Sequence, residues 1–193
     1  MSTDFRLYFS IASIALTFIA FVPYLREIYA GKVIPHVFSW IIWALTTSIV
    51  FFAQLSDGAG VGAWPTGLSA AITYYIAFLA YRRSNSINIT RSDSLFFISA
   101  LAALPVWHLT QDALAAVVLL TLIDLLAFLP TLRKTYYNPK QENALFFGLY
   151  VIKSLFSIIA LEHYSLTNIL FPATIALTST LLIGVLLWRS KRV

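Results

Sequence analysis

The chain of 193 residues is 60% hydrophobic and 11% charged, with a mean hydropathy of +0.82. Water-soluble domains run at about 45–50% apolar and about 25% charged residues, and a soluble fold of this length could not hide so much apolar surface. The absence of cysteine removes disulfide frameworks, thiolate metal sites and cysteine nucleophiles, and the net charge of +5 is not gathered on one face or interleaved with an aromatic RNA-binding motif, which argues against a nucleic-acid partner.

Lipid is the alternative solvent. A hydrocarbon core of about 30 Å takes roughly 20 apolar residues per helix, so the length allows about seven short-looped spans and no separate soluble domain. The first apolar run, 7–29, lacks a small-residue cleavage site and continues into Pro23-Tyr24-Leu25-Arg26, so it reads as a helix rather than a signal peptide. Further spans are expected at 36–54, 60–82, 93–108, 112–134, 143–161 and 165–188. The fourth is short and interrupted by Pro105. Turn-forming residues separate the segments: Ala30-Gly31-Lys32, Ser56-Asp57-Gly58, Ser84-Asn85-Ser86 and Tyr137-Asn138-Pro139. Gly58 and Gly62 have the spacing of a close helix contact, but they lie at a helix entrance, where a plain loop is the preferred reading.

The basic residues set the topology, because cytoplasmic loops carry the excess of Lys and Arg. Arg26 and Lys32 follow the first helix; Arg82, Arg83 and Arg91 the third; Arg133, Lys134 and Lys140 the fifth; Arg189, Lys191 and Arg192 the seventh. With seven spans all eleven fall on one side, opposite Arg6, Asp4, Asp57, Asp112 and Glu162. The N-terminus is then outside and the C-terminus cytoplasmic. Without the fourth span the basic loops would scatter over both faces.

The chain also repeats itself. AFVPYLREIY (20–29) and AFLPTLRKTY (127–136) lie 107 residues apart and share six of ten residues, where shared composition alone yields about one match. The same offset pairs Pro65 with Pro172, Thr73 with Thr180 and Arg82 with Arg189. Residues 1–90 form the first three-helix repeat, 91–110 a linker helix and 111–193 the second repeat. An odd-numbered unit inverts on repetition unless one more span is inserted, so the linker makes the two three-helix bundles parallel. Parallel repeats with a substrate between them are a known transporter plan.

This 3+1+3 plan, with an outside N-terminus and a proline near the inner ends of the first and fifth helices, resembles the PQ-loop superfamily. That group includes SWEET sugar transporters, vitamin transporters of the nicotinamide riboside type, lysosomal amino-acid exporters and the KDEL receptor. The stretch Pro35-His36-Val37-Phe38-Ser39-Trp40, with Gln54-Leu55-Ser56-Asp57-Gly58-Ala59-Gly60, resembles a group of uncharacterised bacterial membrane proteins. The resemblance implies a bacterial inner-membrane location and alternating access by rocking of the halves. The Pro-Gln pair that names the family is Pro23-Tyr24 and Pro130-Thr131 here, and the second proline of each half lies on its third helix rather than its second.

Proline inside a helix removes a hydrogen bond and kinks it, which makes Pro23 and Pro130 hinge candidates. Pro65 and Pro172 are expected nearer helix entrances, where proline costs little. Asp124 and Lys153 fall near the middles of the fifth and sixth helices, where an ionisable group costs about 2.5–3.5 kcal/mol on insertion scales and so faces a cavity or a partner. Their first-half counterparts are Thr17 and Thr46. They read either as a structural ion pair or as a proton or ligand site. Trp40, Trp43 and Thr47 share one face of the second helix; a tryptophan wall beside hydroxyls suits a flat polar solute, and an interfacial belt explains the same residues. Thr73 and Tyr74 from the third helix and Asn143 from the sixth, with weaker candidates Ser69, Ser154 and Asn168, complete the substrate-binding set. Arg26 and Arg133 snorkel to headgroups. His36, His108 and His163 share no metal-ligand spacing, and no cofactor, metal or enzyme centre is expected.

The preferred reading is a small-solute transporter for a sugar, a nucleoside or vitamin, or another small polar molecule; the alternative is a receptor or scaffold of the same fold. The expected partners are the substrate and the bilayer, with a homo-oligomer left open. A transporter needs a polar cavity at mid-depth holding some of Trp43, Thr47, Asp124 and Lys153, whereas a dry packed seam would count against transport.

Overall fold

A computed structural model describes residues 3–31, 37–83, 91–137 and 144–190, and all regular structure among them is helical. The helices are α1 (Thr3–Tyr29), α2 (Val37–Ser56), α3 (Trp64–Arg83), α4 (Arg91–Thr110), α5 (Ala113–Tyr137), α6 (Ala144–Ile159) and α7 (Leu166–Ser190), with a 3-10 turn at Gly60–Ala63 ahead of α3. Among the described residues, α1 from Asp4 onward and α7 are long and apolar enough to cross a membrane. Shorter apolar stretches run Trp40–Ser56, Phe97–Thr110, Ala113–Leu126 and Ala144–Ile159. Pro105 does not end α4, which runs on to Thr110.

The helix ends follow local chemistry. Asp112 caps α5 by accepting from Leu114 N–H at 2.8 Å, and Ser165 caps α7 by accepting from Asn168 N–H at 3.2 Å. Helix α2 closes in a Schellman motif: Gly58, at φ +74°, donates to Leu55 O at 3.2 Å and Ala59 donates to Gln54 O at 2.9 Å.

The packing order is the same in the two halves. Helix α3 lies against both α1 and α2, and α7 lies against both α5 and α6. Across the middle, α1 packs on α6 and α2 on α5. Under the 107-residue offset these are one contact with its members exchanged. Helix α4 packs on α5 and α2, where Ala100, Ala103 and Ala116 are fully buried and let the backbones approach closely.

Polar side chains share the interior with the apolar clusters, and large apolar side chains also cover the exterior. Ser13, Thr17, Thr46, Gln54, Thr135, Lys153 and Asn168 are all buried, while Tyr8, Ile98, Leu145, Leu177 and Leu181 are exposed. An apolar exterior around a hydroxyl-rich interior is the arrangement that lipid favours and water opposes.

The ends of the bundle differ. The C-termini of α1, α3 and α7 carry Arg26, Arg82, Arg83 and Arg189, and this end is called basic below. At the distal end the segment joining α2 to α3 meets the one joining α6 to α7. Glu162 N–H donates to Ala59 O at 3.0 Å, and the Glu162 carboxylate accepts from Val61 N–H at 3.1 Å. Contact is close enough that a Cβ on Gly62 would lie 2.7 Å from the Leu161 backbone. The Gly58 and Gly62 pair thus serves a turn and a tight approach together.

Gly62→Ala is expected to lower the melting temperature of the purified protein, with the cost of about 1–3 kcal/mol typical of overpacking. Gly184→Ala, with nothing within 4 Å of the new methyl group, is expected to leave it unchanged or raise it. Equal effects at the two sites would contradict the close loop contact.

Candidate functional site

The middle of the bundle is built around Lys153. It projects from α6 with 6% of its surface exposed, and its Nζ donates to Ser69 Oγ on α3 at 2.6 Å. Ser69 Oγ in turn donates to Pro65 O at 2.8 Å, so the hydroxyl has a lone pair to offer the ammonium. The backbone of Lys153 is held too, since Ser13 Oγ on α1 donates to its carbonyl at 2.8 Å. Nζ also lies 4.9 Å from the Tyr150 ring centroid, within the range of a cation–π contact. Among the described residues Lys153 forms no ion pair.

Asp124 sits half-buried on α5. Among the described residues its carboxylate has neither a hydrogen-bond donor nor a cation within ion-pair distance. The structural ion pair between Asp124 and Lys153 is therefore not formed.

Aromatic side chains of α1, α2 and α6 pack near Tyr150 and α1. Tyr150 contacts Phe146 with ring centroids 4.7 Å apart and meets Phe21 of α1 edge-on at 5.9 Å. Tyr24 stacks on Trp40 at 5.4 Å, and Trp43 meets Trp40 edge-on at 5.3 Å. Trp40 therefore packs inward against α1. Trp43 and Thr47 are half-buried beside it, while Thr46 is buried and bonds its own helix at Trp43 O, 3.1 Å away.

Two expected residues take other places. Tyr74 is 44% exposed and shares the outward face of α3 with Tyr75, Phe78 and Tyr81, because helical spacing turns positions 74, 75, 78 and 81 away from the face that holds Thr73. Thr73 is buried but bonds Ser69 O at 2.7 Å, supporting Ser69 rather than opening to a solute. Asn143, Pro35 and His36 lie outside the described residues, as do the side chains of Ser39, Pro130 and Arg133. Pro23 is inside α1 and exposed.

The distal end holds the densest polar network, and prolines explain its design. A proline at position i leaves the carbonyl at i−4 without its amide partner. Val61 O, four residues before Pro65 but in the 3-10 turn that leads into α3, accepts from Ser10 Oγ at 2.6 Å. Pro172 frees Asn168 O, which accepts from Gln54 Nε2 at 3.0 Å. Val61 and Asn168 are themselves 107 residues apart, so equivalent carbonyls each accept from a side chain, one from α1 of the same half and one from α2 of the other. Pro172 is the seventh residue of α7, past the first turn, and its missing hydrogen bond is a real loss rather than the inexpensive entrance position expected. Pro65, second in α3, does occupy that position.

Around this bridge Asn168 Nδ2 donates to Asp57 O at 3.2 Å and to His163 O at 2.9 Å. Ser165 Oγ donates to the Asp57 carboxylate. His163 Nδ1 is 2.8 Å from Asp57 O and 3.5 Å from Asp57 Oδ2; both are acceptors, so Nδ1 carries the proton. Ser157 Oγ donates to Gly62 O at 3.0 Å.

At the basic end each of the repeated tyrosines meets an arginine of its own half, although Arg83 and Arg189 are not equivalent under the 107-residue offset. The Arg83 guanidinium lies 5.1 Å from the Tyr29 ring centroid and that of Arg189 4.5 Å from Tyr136, so each clasps the first helix of its half to the third. A cavity of about 410 Å³ lies elsewhere, on the outside of the first half among Ile14, Phe18, Phe51, Trp64 and Leu68. Its lining is apolar, and it contains none of the candidate site residues.

No protein-family model, no curated protein and no solved structure matches the chain.

A double-mutant cycle tests the proline bridge. Gln54→Leu removes both a donor and Gln54 Oε1, which is buried without a partner among the described residues, so the single substitution mixes a loss with a gain. Pro172→Ala restores the backbone amide and makes the glutamine redundant. The two are expected to couple by about 1 kcal/mol in unfolding free energy. Strict additivity would mean that Gln54 does not serve the freed carbonyl.

Proposed function

We propose that the chain is a seven-span membrane transporter for a small polar solute, moving it by alternating access between two parallel three-helix halves. The observation that carries this reading is the exchanged pair of contacts, α1 on α6 and α2 on α5, with Lys153 and Asp124 buried or half-buried beside it and not neutralising each other. Two units that meet through one contact used twice can rock about their common axis and open either end. A charge kept in the middle of such a seam at a cost in stability points to use.

In this reading the arginine-bearing end faces the cytoplasm of a bacterial inner membrane and the distal end faces outward. The bridge of Gln54 to Asn168 O and the bonds gathered on Asp57 hold the outer end shut. Opening it breaks hydrogen bonds between the halves while those within each half persist, and Pro172 lies where α7 would bend. Pro23 and Pro130 are the corresponding flexible points of α1 and α5. The fold and mechanism are of the PQ-loop type, and sugars, nucleosides, vitamins and other small polar molecules are the substrate classes.

The density of that distal network also suits a receptor or scaffold that never opens. Uptake separates the readings. Reconstituted into proteoliposomes, a transporter equilibrates at least one labelled solute from a panel of those classes, and the same solute raises the protein's melting temperature by binding the folded state. Stabilisation without uptake favours the receptor, and silence across the panel favours the scaffold.

The topology has its own test, made simple by a chain without cysteine. His108→Cys and Arg91→Cys, both exposed and at opposite ends of α4, are expected to react with an impermeant maleimide from opposite faces of the bilayer. Labelling of both from one face would remove α4 as a span and with it the parallel halves.

A further inference from the structure

We infer that the basic end of the first half holds an anionic glycerophospholipid, with Arg83 receiving its phosphate and the paired hydroxyls of Tyr29 and Tyr75 one of its ester carbonyls. The site lies between α1 and α3 on the outside of the bundle. It depends on the chain lying in a bilayer, not on what the chain transports.

The argument starts from an arginine that the protein leaves unmatched. The Arg83 guanidinium rests on the Tyr29 ring, 5.1 Å from its centroid, and its Nη1 is buried with no acceptor among the described residues. No carboxylate among them comes within ion-pair distance, Glu27 in the last turn of α1 included. A guanidinium is a planar fork of N–H donors that matches a phosphate, and a donor shut away from both water and acceptors is costly. Beside it, Tyr29 and Tyr75 join α1 to α3 hydroxyl to hydroxyl. One of the two donates and the other accepts, and the acceptor keeps its own hydrogen. The pair therefore has one O–H left to give.

The second half supplies the comparison. Tyr136 stands 107 residues after Tyr29, and Arg189 after Arg82. Arg189 also lies over its tyrosine, at 4.5 Å, but its Nε donates to Tyr136 O at 2.8 Å, so this cation has an acceptor in the protein. The counterpart of Tyr75 is Leu182, fully buried and without a hydroxyl, and that of Arg83 is Ser190. What the second half closes with its own backbone, the first half leaves for a group from outside.

Position and charge indicate where that group comes from. Arg26 lies in the last turn of α1 and Arg82 and Arg83 in that of α3, and Glu27 is the carboxylate that faces this excess of cations within those two turns. Tyr75 precedes Arg83 by eight residues, about 12 Å along α3 at 1.5 Å per residue, so the hydroxyl pair lies deeper in the bilayer than the end of the helix. Tyr75 and Phe78 are both exposed on the outward face, and the Arg82 guanidinium lies 5.8 Å from the Phe78 ring centroid. A free phosphate matches the arginines but brings no acceptor for a hydroxyl at that depth. A glycerophospholipid carries its phosphate outermost and its ester carbonyls below, the order in which α3 presents Arg83 and then Tyr75. The excess of positive charge favours a headgroup without an ammonium of its own.

The test titrates the purified full-length protein in detergent micelles with phosphatidylglycerol, phosphatidylcholine, the diether analogue of phosphatidylglycerol and inorganic phosphate. Native mass spectrometry reads the affinity of the most tightly held molecule. Phosphatidylglycerol is expected to bind at least about fivefold more tightly than phosphatidylcholine, and Arg83→Gln to weaken it by about fivefold, the worth of one cation at an anionic surface. Arg83→Lys falls between the two. Arg189→Gln, which removes a guanidinium already bonded to Tyr136 O, changes the affinity by less than about twofold. The diether lipid, which lacks both carbonyls, and the double variant Tyr29→Phe with Tyr75→Phe each weaken binding by about threefold. Combining the two weakens it no further.

Equal affinity for phosphatidylglycerol and phosphatidylcholine overturns the inference on the unaltered protein, so the result stands even if a variant does not fold. Equal effects of Arg83→Gln and Arg189→Gln overturn the placement in the first half. Displacement of the lipid by millimolar inorganic phosphate identifies a free-anion site and overturns the lipid. Additive losses from the diether lipid and the double variant overturn the place of the carbonyl beside the tyrosines. Tight phosphatidylglycerol binding that depends on Arg83, in a protein that takes up no solute, supports this inference while the transporter reading falls.

Discussion

A carbonyl that loses its amide to proline must find another donor, because the apolar surroundings of a helix bundle supply none. The distal end of this protein is organised by that requirement. Val61 O and Asn168 O occupy the same place in the two repeats, each four residues before a proline, and each accepts from a side chain on another helix. The donors differ, a serine from the same half and a glutamine from the other. That difference turns a local repair into a bond across the seam. Once Gln54 is committed to Asn168, the Asn168 amide can serve Asp57 and His163, and the two interhelical turns are drawn together until glycine is needed at position 62.

The bundle is thus tied at one end by hydrogen bonds between halves and at the other by aromatic and cationic contacts within them. Tyr29 with Arg83, and Tyr136 with Arg189, link first helix to third in each unit. The middle is where the repeats have parted. The threonines that bond their own helices in the first half correspond, at the 107-residue offset, to an aspartate and a lysine in the second.

Much of the frame was legible in the sequence. Helix positions followed from apolar length, and the described helices lie within a few residues of the expected segments because turn residues such as Gly31, Gly58 and Asp112 punctuate the chain so clearly. The offset of 107 residues aligned Pro65 with Pro172, but both read as helix-entrance prolines, and only the fold showed that Pro172 lies inside α7 and leaves Asn168 O to Gln54. The side-chain environment was less legible. Tyr74 and Thr73 are adjacent in sequence but face opposite ways on α3, and polarity does not distinguish a threonine that bonds its own backbone from one that meets a solute. Ser13 and Tyr150 carried no sequence signal that would have brought them to Lys153.

By itself, then, the sequence determined the apolar character of the chain, its helical segments, its duplication and the side on which its arginines gather. Each of these depends on residues close together or at one fixed spacing. Tertiary structure decided which donor serves Val61 O and Asn168 O, that Asp124 and Lys153 stay apart, and that Ser69 and Tyr150 are the groups beside Lys153. Those relations join residues from different helices, such as Gln54 with Asn168 and Ser69 with Lys153. Their meeting depends on how each helix is rotated about its own axis, which hydropathy leaves open in helices that are apolar on nearly every side.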